Sequence, residues 1–263
     1  MVMPVSFHPK LAAVGDLVIN AVFLWGFFQL ENWWLVALWF FARILFWGVL
    51  TFLVYFPKKA SRIDHVLSLA IFLIGCLFLF LFIEWNWSWY VVGFGFILFP
   101  AISFWLIPPK GDALSFTYKS YRRWKMLLAV LGLSGLWSGV SAIIAFQVVY
   151  WIGNWVWLAL GSFITAALTA WWWKNYEITV ERKFWVWSLI SCLFIFELSW
   201  VIYWWPLGYL ANGVFIAWVW YIFWLIIRFH LTKEDVVWQK QRWFIAINTI
   251  LICAYLLLVV RWN

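Results

Sequence analysis

Nine runs of about 20 apolar residues, separated only by short polar or proline-containing breaks, constrain this chain more than any other feature. They cover roughly 11–30, 33–56, 66–84, 88–107, 126–149, 153–173, 184–204, 207–229 and 243–261. A helix needs about 20 mostly apolar residues to cross a bilayer, or about 17–25 when tilted. The alternatives fail on composition. Of 263 residues 68% are hydrophobic and 11% are charged, whereas soluble domains carry about 25% charged residues. Such hydrophobicity also excludes a disordered chain. The expected fold class is an all-α polytopic integral membrane protein.

The breaks alternate between two kinds. One kind, such as Glu31-Asn32 or Trp85-Asn86, is aromatic and free of Lys and Arg. The other is basic and holds 16 of the 18 Lys and Arg residues, from Lys10 through Lys58, Lys59 and Arg62 to Lys233, Lys240 and Arg242. Only Arg261 falls on the opposite side, and Arg43 lies inside a span. By the positive-inside rule this asymmetry sets the amino terminus and four basic loops in the cytoplasm and the carboxyl terminus outside. The first apolar run has no small-residue cleavage site after it, so it reads as a retained span. The expected location is a bacterial cytoplasmic membrane.

A net charge of +8 on such a chain calls for no nucleic acid, because basic residues at the inner face meet anionic lipid headgroups. The segment Phe116 to Lys125 interleaves aromatics with bases and reads as a cytoplasmic loop, with Lys119, Arg122, Arg123 and Lys125 as headgroup or partner contacts. The expected partners are membrane lipids, and a membrane protein or a second copy of the chain. Ser61-Arg62-Ile63-Asp64 and Thr232-Lys233-Glu234-Asp235 have the spacing of capping boxes ahead of the third and ninth spans. Cys76, Cys192 and Cys253 all fall in spans and form neither a disulfide framework nor a zinc pattern.

The two halves echo each other. Asn32-Trp33-Trp34-Leu35-Val36-Ala37-Leu38 resembles Asn154-Trp155-Val156-Trp157-Leu158-Ala159-Leu160; Cys76 to Phe80 resembles Cys192 to Phe196; and Phe104 to Ile107 recurs as Phe223 to Ile226. The implied plan is two parallel four-span repeats, 1–109 and 126–229. A basic segment at 110–125 joins them, and 230–263 supplies a linker and ninth span. Parallel repeats related by an axis along the membrane normal are a transporter architecture.

Helices in lipid associate through small residues, which makes the fifth span, with its Gly135-x-x-x-Gly139 pair, and the sixth, with Gly161, Ser162 and Thr165, the expected centre. Pro100 removes a backbone bond in the middle of the fourth. Most of the 28 tryptophans sit near span ends, as interfacial indoles do: Trp33, Trp34, Trp85 and Trp204 outside, Trp171 to Trp173 inside. Trp39, Trp47, Trp137, Trp218 and Trp220 lie deeper and read as lipid-facing filler.

An ionisable residue within a span is a functional suspect, since a central charge costs at least about 2.5–3.5 kcal/mol to insert. Arg43 lies mid-span. Glu197, at a comparable depth in the seventh span, is its expected partner, with Glu31 and Glu84 as rivals. Asp16 and Asn20 stand one turn apart in the first span, and Gln147 near the outer end of the fifth. These residues make up a candidate intramembrane charged site of Arg43, Glu197, Glu84, Glu31 and Asp16. His65 and His230 sit at neighbouring span ends without the spacing of metal ligands. The chain contains no HExxH, GxSxG or Walker motif, and no catalytic residue or cofactor is assigned. The expected function is that of a transporter or channel-like protein. The alternatives are a non-catalytic subunit that anchors or scaffolds a complex, and an enzyme or carrier for lipid-linked substrates.

Overall fold

Each apolar run becomes a helix. A computed structural model describes residues 7–54, 59–108, 116–176, 178–231 and 238–259. Among them are nine helices, each long and apolar enough to cross a membrane: α1 (Pro9–Phe27), α2 (Trp33–Leu53), α3 (Lys59–Phe82), α4 (Asn86–Trp105), α5 (Phe116–Ala145), α6 (Asn154–Asn175), α7 (Arg182–Tyr203), α8 (Tyr209–Leu231) and α9 (Trp238–Val259). The protein is an integral membrane protein with many spans. Lys58, Lys110, Lys233, Arg261 and the Thr232–Asp235 box lie outside the described residues, as does the side chain of Ser61.

Local chemistry fixes several helix ends. Pro9 opens α1, where a missing N–H costs nothing, and His8 Nδ1 accepts from the Lys10 N–H at 3.2 Å. At the other end of a span, α5 stops at Ala145, earlier than the apolar run suggests. Gln147 takes a left-handed φ of 48°. Its N–H bonds Ile144 O at 3.3 Å, and Val148 N–H bonds Ile143 O at 3.1 Å, which is the Schellman arrangement usually built on glycine. α4 continues through Pro100.

The segment 116–125, expected as a loop, is instead the first three turns of α5. Its alternation of aromatics and bases is one helical face: Tyr121, Lys125 and Leu128 are buried and Trp124 half-buried, at the i, i+3, i+4, i+7 spacing of an amphipathic helix. Trp124 Nε1 donates to Phe99 O at 3.0 Å. At 30 residues α5 is about 45 Å long, more than the roughly 30 Å of a hydrocarbon core.

Two compact units divide the chain, residues 1–132 and 133–263. The division falls inside α5. In the first unit α1 packs on α4, α2 on α3 and α3 on α4. The lower part of α5 meets α3 backbone to backbone. A Cβ added to Gly75 would lie 2.5 Å from Gly132 O, and one added to Gly132 would lie 2.5 Å from Ile71 O, so neither position accommodates a side chain. In the second unit α6 packs on α7 and α7 on α8. Gly213 of α8 is pressed against Ser134 and Ser138 of α5. Such small-residue contacts replace the hydrophobic drive that is missing in lipid. Of the candidate spans, α5 is the most buried. No residue of the α9 window is buried; it is held to α8 by Trp218 Nε1 to Asn248 Oδ1 at 2.9 Å and Tyr255 OH to Ala211 O at 3.1 Å.

Candidate functional site

The charged site is built within the first unit. Counting outward from the connection between α1 and α2, Asp16 stands eleven residues before Phe27 and Arg43 ten residues after Trp33. Two antiparallel neighbours therefore carry them at one depth. Arg43 Nη2 pairs with Asp16 Oδ1 and also donates to Asn20 Oδ1. Asn20 Nδ2 in turn donates to Asp16 Oδ2 at 2.9 Å and to Ile97 O of α4 at 3.2 Å. Trp47 Nε1, one turn beyond Arg43, donates to Asp16 Oδ1 at 2.8 Å. Asp16, Asn20 and Arg43 are each 0% exposed. The rings of Trp47, Phe46 and Phe23 close around the guanidinium, their centroids 4.2, 5.1 and 5.2 Å from Cζ.

The partner of Arg43 is thus Asp16 and not Glu197. The reason is connectivity: α1 and α2 are consecutive and adjacent, so the short carboxylate on α1 reaches the arginine without any contribution from a distant span. Glu197 belongs to the second unit, and its side chain on α7 is exposed. It has no ion pair among the described residues. Glu31 and Glu84 are exposed beyond the ends of α2 and α3. The five residues read from the sequence as one site therefore separate into a buried pair and three exposed carboxylates. Two guanidinium atoms, Arg43 Nε and Nη1, have no hydrogen-bond partner among the described residues; the aromatic faces around them are their neighbours.

Near the basic end of the same unit is a second polar group that the sequence did not disclose. His65 of α3 is fully buried, with Tyr121 OH 2.9 Å from Nδ1 and Ser103 Oγ 3.4 Å from Nε2. Ser103 Oγ donates to Pro100 O at 2.6 Å, and Lys125 Nζ lies 4.6 Å from the centre of the Tyr121 ring. Of the four bases assigned to headgroup contact, Lys119 and Arg123 are exposed and Arg122 half-buried, whereas Lys125 is buried on the helix face that packs inward. Both His65 nitrogens face side chains, and His230 lies edge-on to Trp187 at 5.4 Å. Among the described residues no group of three or more metal-ligating side chains occurs.

The deep tryptophans are not lipid-facing filler. Trp39, Trp47, Trp137 and Trp220 are buried with their indole N–H groups paired, to Phe23 O, Asp16 Oδ1, Thr165 Oγ1 and Thr169 Oγ1 at 2.8–3.0 Å. Trp172 and Trp173, expected in an interfacial belt, are also buried. An indole has one donor and a large apolar body, so it satisfies itself inside a bundle wherever a hydroxyl or carbonyl is in reach.

The second unit contains a small cavity near the carboxyl ends of α5 and α7. It has a volume of about 100 Å³ and is lined among others by Ser141, Ser199, Tyr203, Tyr209 and Asn212. Asn212 Oδ1 is buried without a hydrogen-bond partner among the described residues. No family model, curated protein or solved structure matches the chain.

Proposed function

We propose that this protein is a non-catalytic membrane subunit that holds a membrane-embedded partner, and that Glu197 is the residue through which it does so. One observation carries the proposal: with Arg43 engaged by Asp16, Glu197 is left exposed six residues before the end of a spanning helix. That places it about 9 Å inside the span by the helical rise. Ionisable residues within the membrane almost always face a bundle interior, a partner or a water-filled cavity. A carboxylate on an outward face, flanked by the exposed Leu193, Trp200 and Val201, calls for a cation-bearing partner helix. The echo read between the halves is compatible with a docking scaffold, since its segments lie on or at the ends of α2 and α6, α3 and α7, α4 and α8. In this reading the membrane is a bacterial inner membrane, with the basic ends of the helices cytoplasmic.

The test is native mass spectrometry after gentle extraction from the source membrane, on the wild type and on Glu197→Gln and Glu31→Gln. A stoichiometric protein partner that is lost in Glu197→Gln and kept in Glu31→Gln supports the proposal. A bare monomer in every case, with the extracted protein folded, defeats it.

A second reading, transport of a small polar solute, is favoured by the cavity beside Asn212, whose unpartnered acceptor and neighbouring hydroxyls suit a small donor-bearing molecule. Loss of solute uptake in proteoliposomes on Asn212→Leu, with Glu197→Gln active, would favour it over the scaffold.

A further inference from the structure

A groove of about 490 Å³ opens between α2 and α3, with Ile44, Gly48, Val66 and Ala70 along its length and Thr51 and Arg62 at one end. Its size falls within the roughly 300–1,000 Å³ of small-molecule sites. We propose that this groove binds one anionic phospholipid, with an acyl chain along Gly48 and the phosphate on Arg62 and Thr51.

Three features point to that occupant. The first is polar. Thr51 is 1% exposed and its Oγ1 has no hydrogen-bond partner among the described residues. Other helical hydroxyls in this protein donate to the carbonyl four residues back, as Ser162, Thr165 and Thr169 do at 2.7–2.8 Å. Thr51 does not, and it lines the groove. The second is charge. Arg62 Nε is buried and unpartnered among the described residues, while its Cζ rests 5.4 Å from the centre of the Phe52 ring. A guanidinium whose Nε has no partner suits a phosphate oxygen. The third is position. Arg62 lies three residues into α3 and Thr51 two residues from the end of α2, so both stand near the helix ends, at headgroup level, while the rest of the groove runs into the hydrocarbon. Basic pockets between helices at this level are lipid headgroup sites. Gly48 provides the depth, since nothing lies within 4 Å of where its Cβ would be.

The experiment is lipid titration of the full-length protein in detergent, followed by native mass spectrometry, with phosphatidylglycerol and phosphatidylcholine as probes. The wild type should retain one phosphatidylglycerol in preference to phosphatidylcholine. Arg62→Gln should weaken phosphatidylglycerol roughly fivefold, the worth of one basic contact at a headgroup, and erase the preference. Gly48→Leu should lose both lipids, because leucine fills the groove from a position with open space and good helix propensity. Arg123→Gln, an exposed base elsewhere at the same end, should bind as the wild type does. Equal retention of the two lipids by the wild type overturns the proposal. So does full phosphatidylglycerol retention by a folded Gly48→Leu, or a loss in Arg123→Gln equal to that in Arg62→Gln. Should Gly48→Leu not fold, the contrast between Arg62→Gln and Arg123→Gln decides alone.

Discussion

The two units solve one problem with different chemistry. Each has polar groups at mid-bundle depth, where no water satisfies them. The first unit uses full charges, with Asp16 against Arg43, Asn20 and Trp47 bonded to the carboxylate, and aromatic rings around the guanidinium. The second uses neutral pairs of indole and hydroxyl, Trp137 with Thr165 and Trp220 with Thr169, and each threonine also donates to the carbonyl four residues back. A charge pair specifies its geometry strongly and is costly when broken. Neutral pairs specify less and fail gently. The second unit instead gains register from close backbone approach, with Gly213 against Ser134 and Ser138. The Asp16–Arg43 pair is fully buried within the first unit.

The sharpest break of this comparison is to strand one charge. Arg43→Met leaves the Asp16 carboxylate buried and unpaired, and removing one member of a buried pair costs about 3–5 kcal/mol. The double variant Asp16→Leu/Arg43→Met removes both charges and should recover most of that loss, since a well-packed apolar replacement is often neutral or better. Thermal unfolding in mild detergent measures both. A double variant as unstable as the single one would mean that Arg43 contributes through packing rather than through its charge.

The Asp16–Arg43 pairing is only partly legible in the sequence. The spans are legible because hydrophobic length is a local signal: all nine fall on helices, most ends displaced by a few residues, while α3 and α5 start seven and ten residues earlier than their apolar runs. Asp16, Asn20 and Arg43 were each visible as suspects. Their grouping needed the depth at which consecutive antiparallel helices face each other, and the positions of Asp16 and Arg43 relative to the connection at 28–32 contain that information. Depth alone also admits Glu197, which the structure leaves exposed on α7. The His65, Ser103 and Tyr121 group joins three separate helices and had no signal of spacing at all. Burial of Lys125 and Trp172 was hidden for another reason: charged and indole side chains at span ends favour the interface by type, and only packing of the face they occupy overrides it.

The second unit offers the next largest effect. Gly213→Leu would drive a side chain into Ser138 and the Ser134 carbonyl, and forcing extra atoms into a packed contact costs typically about 1–3 kcal/mol. Loss of thermal stability with an intact Asp16–Arg43 pair would show that the close approach, rather than charge, organises this half. Thr165→Val sits lower on the scale. It removes the acceptor of the Trp137 indole while keeping the shape, and hydrogen bonds inside membranes are worth about 0.6 kcal/mol on average and about 1.7 at most. A larger loss than Arg43→Met would invert the comparison between the units.

The smallest effect on stability is expected at the third charged position. Glu197 is exposed on α7 and has no ion pair among the described residues, so Glu197→Gln should leave the melting temperature of the purified protein unchanged, within the roughly ±0.5 kcal/mol of surface substitutions. Arg43 and Glu197 look alike in the sequence, each a lone charge in an apolar run, yet one is locked in a core and the other faces outward. If Glu197 instead closes an interaction within the chain, its neutralisation will lower stability toward the range of a broken buried pair. If it waits for a partner, the same substitution will leave the isolated protein intact and abolish the complex, because the cost of an unpaired intramembrane charge then falls on the assembly alone.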